Sequence, residues 1–498
     1  VTARASSRLR RVPAFAAAAA FAISAAASSS AAVITIVNGN DPNVGFNDPA
    51  AATPVGGNPG TTIGQQRLNA FQHAADIWGG LLDSPVEIKI RATFEPLDCD
   101  ATSGTLGAAG PRGVDSDFPN APLPGTWYPS ALANRLAGSD LDPGEDITAR
   151  FNSSIGTTGC LEGGSWYLGF DNHAGTNQLD LVAVLLHEFA HGFGFLTLVD
   201  DTDFSEFNGQ PDVFETHILD IQAGKHWNDM TNTERMASGI HTGKILWDGV
   251  GVQAETRSTL DPLPVLSIST PASIAGDYGI GLADFGAAVT TTGVVGTLVA
   301  AVDPADAAGT LTTDACSPIT NASQVAGHVA VVDRGTCPFI DKATNVQAAG
   351  AIGMVLVDNA TGSVPVAMGG DAPGVTIPVV SITQADGATI RAQLAQGVAV
   401  KIWANPRRLA GAGLENRMLL YAPNPYESGS SISHWDTSAH PNLLMEPNLS
   451  SDLPHTVDLT LPALRDIGWF PATGPAAGPR APAQRVQQDD APKIVIRP

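Results

Sequence analysis

Residues 185–197 read LLHEFAHGFGFLT. Positions four apart on an α-helix share a face, so His187 and His191 can reach one ion with Glu188 beside it. Neutral imidazole nitrogens suit zinc, and a catalytic zinc keeps three protein ligands and one open position for water. A glutamate next to that water would take its proton and return it to a leaving amine. The expected chemistry is therefore metal-assisted hydrolysis, with His187 and His191 as ligands and Glu188 as the general base. The preceding DLVAVLL buries the helix, and two histidines and a glutamate would be costly there without a ligand.

The third ligand is not local. A histidine six residues after His191 would complete the set, but that position is Thr197, whose hydroxyl is a poor zinc ligand. Downstream stand Glu215, the Asp200, Asp201 and Asp203 cluster, and the histidines 217, 226, 241, 328, 434, 440 and 455. Glu215, in PDVFETHILD, a stretch that reads as helical, would give a glutamate-ligand peptidase. Against it, the glycines of HGFG end the helix and turn the chain directly after the second histidine. The aspartates read first as a solvated loop, with Ca2+ as a lesser alternative. His434 is the better candidate, because SHWDTSAHPNLLMEP carries Met445 in a Pro-flanked turn, and methionine is an adaptable apolar floor for a metal site.

Several elements must position these residues. ITIVNGN, VEIKIRATF and DITARFNSS read as strands, and TIGQQRLNAFQHAADIWGGLL has helical apolar spacing with Thr61 or Thr62 near its start. NQLDLVAVLLHEFAHG reads as a buried helix ending at Gly192 or Gly194. After about residue 260 short apolar strands such as HVAVVDRG, GMVLVDN and TIPVVSIT alternate with the helices DKATNVQAAGA and QADGATIRAQLAQ, which predicts a separate α/β unit. The segment after it cannot form a core of its own size. The economical arrangement is a split domain: 33–261 as its first part, an insert at 262–407, and 408–472 as its second part, ending in the short amphipathic helix of DLTLPALRDIGWF. Residues 473–498, rich in Pro, Ala and Gly, read as a disordered tail.

The composition limits the partners. A net charge of −23 over 498 residues argues against nucleic acid. Residues 1–32 read as an export signal: Arg4, Arg8, Arg10 and Arg11 precede the apolar run VPAFAAAAAFAISAAA, which is shorter than the roughly 20 residues of a membrane span. A secreted protein without stable membrane insertion is expected. Its four cysteines fall along the chain as Cys99 with Cys160 and Cys316 with Cys337, and in an exported chain such an even count reads as disulfides.

HEFAHGFGF (187–195) together with SHWDTSAHPNLLMEP, in which His434 and Met445 stand eleven positions apart, resembles the leishmanolysin-like family of metzincin zinc endopeptidases. LTLPALRDIGWF resembles the helix that follows the methionine turn in that family. The resemblance implies zinc held by His187, His191 and His434, Glu188 as base, and Met445 forming the turn. GHVAVVDRGTCPFIDKATNVQAAGAIGMVLVDN, within 262–407, resembles a protease-associated (PA) domain, which implies an internal Cys316–Cys337 disulfide and a role in substrate or partner contact. Residues 33–180 resemble the peptidase family only loosely, and no substrate-pocket residue carries over.

The expectation is an α+β fold, a metzincin-like catalytic domain split by an inserted α/β PA domain, acting as a secreted zinc endopeptidase on protein or peptide substrates. Two rivals stand beside it: an exported adhesin or binding protein with a structural metal site and recognition through the PA domain, and a glutamate-ligand peptidase using Glu215.

Overall fold

The computed structural model describes residues 31–362, 364–450, 453–470 and 484–487. The export signal expected at 1–32 falls outside them except for Ala31 and Ala32.

The first half of the chain builds a sheet under two helices. β1 (Ile34–Asn38) leads to α1 (Ile63–Leu81), which begins where the Thr62 hydroxyl accepts the Gln65 N–H and which buries Phe71, Ala74, Ala75 and Trp78 at helical spacing. β2 (Ile88–Glu95) alternates buried and more open positions, as a strand covered on one face does. β3 (Gly107–Pro111) and β4 (Gly113–Ser116) follow, and the short β5 (Tyr128–Pro129) runs into α2 (Ser130–Ala137). β6 (Ile147–Asn152) completes a four-stranded sheet in the order β1-β2-β6-β3, parallel except for β3, which lies antiparallel at the edge.

α3 (Leu181–Phe193) carries the motif across this sheet, and all its residues are buried. The Asp180 carboxylate accepts the N–H groups of Val182 and Ala183 at its start. Aromatic rings lock it to its neighbours: Phe71 sits 6.0 Å from Phe189 and 4.8 Å from Phe151, and Trp78 sits 5.3 Å from Phe193. The helix ends at Gly194, whose φ of +117° only glycine adopts freely.

The chain beyond residue 409 returns to this same core. Buried residues from Ala32 to Leu260 and from Leu409 to Trp469 form one apolar cluster. Trp435 packs 4.8 Å from Phe195, Trp469 donates its indole N–H to the Phe193 carbonyl, and Asp466 accepts from Gly251 N, Val252 N and the Trp247 indole. Residues between have two apolar clusters of their own. Their eight-stranded sheet has a parallel centre, Val294–Ala300, Val329–Asp333, Gly353–Val357 and Val379–Ile382. The strand that enters it, Pro262–Thr270, pairs antiparallel with the strand that leaves it, Ala399–Leu409. Entry and exit therefore sit side by side, so the flanking segments stay close in space despite the long separation in sequence. The fold as a whole is mixed α/β.

Three local readings need correction. PDVFETHILD is a single 3-10 turn, Glu215–His217, followed by the strand Ile218–Asp220, because only one helical turn fits before the chain pairs with Ile245–Trp247. DLTLPALRDIGWF makes only the short α-helix Thr460–Leu464 and then widens into a π-turn, Arg465–Trp469, with Gly468 at φ +118°. The tail is not wholly without structure, since Gln484–Gln487 is a strand paired antiparallel with β4. Arg485 there lies 3.4 Å from Asp115 and 3.2 Å from Asp142. Disulfides join Cys99 to Cys160 and Cys316 to Cys337. Among the described residues no helix is long and apolar enough to cross a membrane.

Candidate metal centre

His187, His191 and His434 converge although His434 comes 243 residues after His191. The Nε2 atom of His187 lies 3.0 Å from that of His191 and 3.3 Å from that of His434. Each Nδ1 meets a backbone carbonyl: His187 that of Leu444, His191 that of Phe195, and His434 that of Ser430, all at 2.7 Å. A carbonyl only accepts, so each Nδ1 carries the proton and each Nε2 presents a lone pair. Burial is the first cause that pushes His187 down to about 4 and His434 to about 3, and it holds His191 well below the ordinary histidine range, with the neighbouring rings acting the same way on His191 and His434. Three neutral lone pairs at this spacing repel one another unless a cation lies between them. Ligands of a tetrahedral site with roughly 2.0–2.1 Å bonds stand about 3.3 Å apart, so the set fits a small N-liganded cation. No fourth His, Cys, Asp or Glu joins the group among the described residues.

The turn at Met445 serves both halves of this cluster. Leu444 supplies the carbonyl that orients His187, and the Met445 carbonyl accepts the N–H of Trp435, the residue after His434. The Met445 side chain is fully buried.

Glu188 is fully buried, and neither carboxylate oxygen has a hydrogen-bond partner. Burial raises it well above the usual carboxylate range, with the nearby Ala109 amide acting the other way. Its Cγ lies against Gly107 of β3, where an added Cβ would come within 3.2 Å.

The other sequence candidates are placed elsewhere. Glu215 is buried against Arg235 at 3.1 Å, where burial and the nearby Asp212 push it up to about 8. It does not join the histidines. The three loop aspartates diverge: Asp200 accepts the amides of Thr202 and Asp203, Asp203 that of Ser205, and Asp201 reaches across to residues 426–429. They offer no convergent oxygen set for calcium. His217 and His226 pair with Asp248, His241 with Asp220, His440 with Asp261 and His455 with Asp180, while the His328 ring meets the Ala326 carbonyl. The sequence reading missed the carbonyls of Leu444, Phe195 and Ser430, because backbone groups leave no signature in residue types. It also missed Gly107, since a lone glycine in a strand marks a close approach without saying to what.

Comparison with known proteins assigns one part of the chain. Minor extracellular protease Vpr of Bacillus subtilis is 39% identical over 71 residues, covering 14% of this chain and 8% of that protein. The probable lipoprotein aminopeptidase LpqL of Mycobacterium tuberculosis is 40% identical over 105 residues, covering 20% of this chain and 19% of that protein. The human ER degradation-enhancing alpha-mannosidase-like protein 3 is 48% identical over 48 residues, covering 10% and 5%. The chain thus spans less than a fifth of the length of each of these relatives, whose names indicate different chemistries. Among solved structures, the zinc aminopeptidase BSAP of Bacillus subtilis is similar at a TM-score of 0.21 and 20% identity, covering 30% of this chain and 35% of that one. A peptidase M28 precursor from Shewanella amazonensis is similar at 0.20 and 14% identity, covering 39% and 45%. Residues 294–390 match the PA domain family, so the α/β unit in the middle of the chain contains a PA domain.

Proposed function

We propose that this chain is an exported zinc endopeptidase of the metzincin kind, its catalytic domain formed by 33–261 and 408–472 around an inserted PA domain at 262–407. The observation that carries this reading is the conjunction of three neutral imidazole lone pairs, no fourth protein ligand beside them among the described residues, and a buried glutamate, without a hydrogen-bond partner among those residues, next in sequence to the first histidine. A closed structural site would need a fourth ligand, which weighs against the binding-protein reading. Two disulfides suit an oxidising compartment outside the cytosol.

Zinc held by His187, His191 and His434 would supply Lewis-acid polarisation of the scissile carbonyl and acidify a water. The three Nδ1–H donors fix the rings on backbone carbonyls, so the Nε2 lone pairs stay aimed at one point. Glu188 has no competing hydrogen bond, and a positive charge nearby favours its ionised form. It takes the proton of the water as that oxygen adds to the carbonyl carbon, then delivers it to the amine nitrogen as the C–N bond breaks. The PA domain then serves contact with substrate or partner.

The test is digestion of an unfolded protein by wild type and Glu188→Ala, each with and without a zinc chelator. Wild type should release internal fragments, the chelator should stop it, and Glu188→Ala should lose about 10²–10⁴-fold in rate while keeping its metal. Equal activity of the variant overturns the mechanism. Release of single amino-terminal residues in place of internal fragments overturns the endopeptidase assignment.

A further inference from the structure

The acidic loop after the motif helix, with no metal-binding geometry of its own, touches the segment that carries His434. The Asp201 carboxylate accepts three hydrogen bonds from that segment: Oδ1 from the Tyr426 hydroxyl at 2.9 Å, and Oδ2 from the Ser428 hydroxyl at 2.7 Å and the Gly429 amide at 2.8 Å. The next residue, Ser430, supplies the carbonyl that takes the Nδ1 proton of His434. The turn between is closed by the Ser430 and Ser431 amides, which donate to the Glu427 carbonyl, and by the Glu427 amide, which donates to the Ser431 hydroxyl. A continuous path of bonds therefore runs from Asp201, a few residues beyond the end of α3, to the ring orientation of the third histidine.

We propose that Asp201 is a positioning residue for the metal centre: it clamps the loop leaving the first two ligands to the turn that aims the third. This deepens the reading given under the proposed function and rests on it. Two features point to Asp201 over its neighbours. Asp200 and Asp203 spend their carboxylates on amides within their own loop, whereas all three Asp201 contacts cross more than 220 residues of sequence. Its aspartate type also suits the task, because one carboxylate has enough lone pairs to accept three donors at once. A second tie lies nearby. The Thr197 amide donates to the Ser433 hydroxyl, and the Thr197 hydroxyl donates to Asp212. That tie holds the turn from the side of His434, while Asp201 holds it from the side of Ser430. Partners outside the ligand shell that orient metal-binding histidines commonly change metal affinity by 10–100-fold when removed.

Asp201 is exposed, so its replacement should leave the fold intact. The experiment compares wild type, Asp201→Ala, Asp201→Asn, Ser428→Ala and His434→Ala as full chains. Zinc affinity is read by competition with a chromogenic chelator, the visible spectrum after Co2+ substitution reports ligand geometry, and thermal unfolding of the metal-free proteins reports stability. Asp201→Ala should bind zinc 10–100-fold more weakly and shift the Co2+ bands, with Asp201→Asn and Ser428→Ala in between and little change in metal-free stability. Unchanged zinc affinity and Co2+ spectrum in Asp201→Ala overturn the proposal, whatever happens to stability. A different outcome isolates the underlying reading: if wild type takes up no zinc, or His434→Ala binds it as tightly as wild type, the metal centre itself is wrong and the clamp falls with it.

Discussion

The amide of Thr197 donates to the hydroxyl of Ser433 at 3.2 Å, which sets the position that lacks a local ligand against the neighbour of the distant one. The relationship explains how a helix carrying only two ligands can have a well-aimed third. Gly194 turns the chain out of α3, Phe195 returns a carbonyl to His191, and two residues later Thr197 reaches the bend that carries His434. Thr197 also donates its hydroxyl to the buried Asp212, which accepts the Leu198 amide as well. A threonine at 197 thus binds protein on both its amide and its hydroxyl.

Removing His434 and removing Glu215 should have opposite consequences. Glu215 is fully buried and shares Arg235 with Glu206, so Glu215→Ala leaves a buried guanidinium short of one partner. Losing that buried hydrogen bond should cost about 1–3 kcal/mol in urea unfolding while the zinc content stays at the wild-type level. His434→Ala should lose zinc after dialysis against a weak chelator and change metal-free stability far less. Loss of zinc in Glu215→Ala alone would restore the glutamate-ligand peptidase.

A pH signature belongs to Asp146, which stands at the entry to β6. It is 3% exposed, accepts the Lys89 amide and the Asn134 side chain at 2.8 Å each, and is pushed up to about 6, chiefly by burial. A carboxyl that holds its proton more tightly folded than unfolded adds stability that is full below pH ~4 and is lost as pH rises through about 6. Asp146→Asn removes this dependence. The stability of wild type relative to the variant should therefore fall by about 2 kcal/mol between pH 4.5 and 7.5, read from urea unfolding at both. A constant difference across that range would mean that Asp146 is ionised throughout.

The legible parts of the site were those where residue type and helical spacing coincide with chemistry. His187, Glu188 and His191 announce themselves because a four-residue spacing is a face of a helix. His434 stood out through its methionine neighbour at 445. The middle α/β unit was visible as buried strands, HVAVVDRG, GMVLVDN and TIPVVSIT, separated by helical spacing, since parallel strands covered on both faces read as apolar runs. Strands β3 and β4 were not anticipated, because GAAGP and GVDS lack both alternation and β-branched bulk, and pairing with β6 and β5 gives them their conformation. The acidic loop is exposed, as its sequence suggests, but aspartate is common in solvated turns, and only the fold brings Asp201 to Tyr426, Ser428 and Gly429.

Gly107 offers a test of the base that leaves the metal ligands untouched. A Cβ at this position would lie 3.0 and 3.1 Å from ring carbons of Phe151 and 3.2 Å from Cγ of Glu188. Phe151 is fully buried and packed by Phe71 and Phe94, so it has little room to yield, whereas the Glu188 arm can rotate. The added methyl should therefore displace the carboxylate by a few tenths of an ångström or more, on the scale at which general-base geometry degrades. Gly107→Ala should lower kcat about 10-fold with KM and zinc content unchanged, and cost about 1 kcal/mol of stability from crowding. Assays well below the unfolding temperature separate the two effects. Gly107→Val should deepen the loss in kcat, because its branches point further into the same contact. A wild-type kcat in Gly107→Ala at full zinc content would show that Glu188 does not need the position it holds here, and would weaken its assignment as the base.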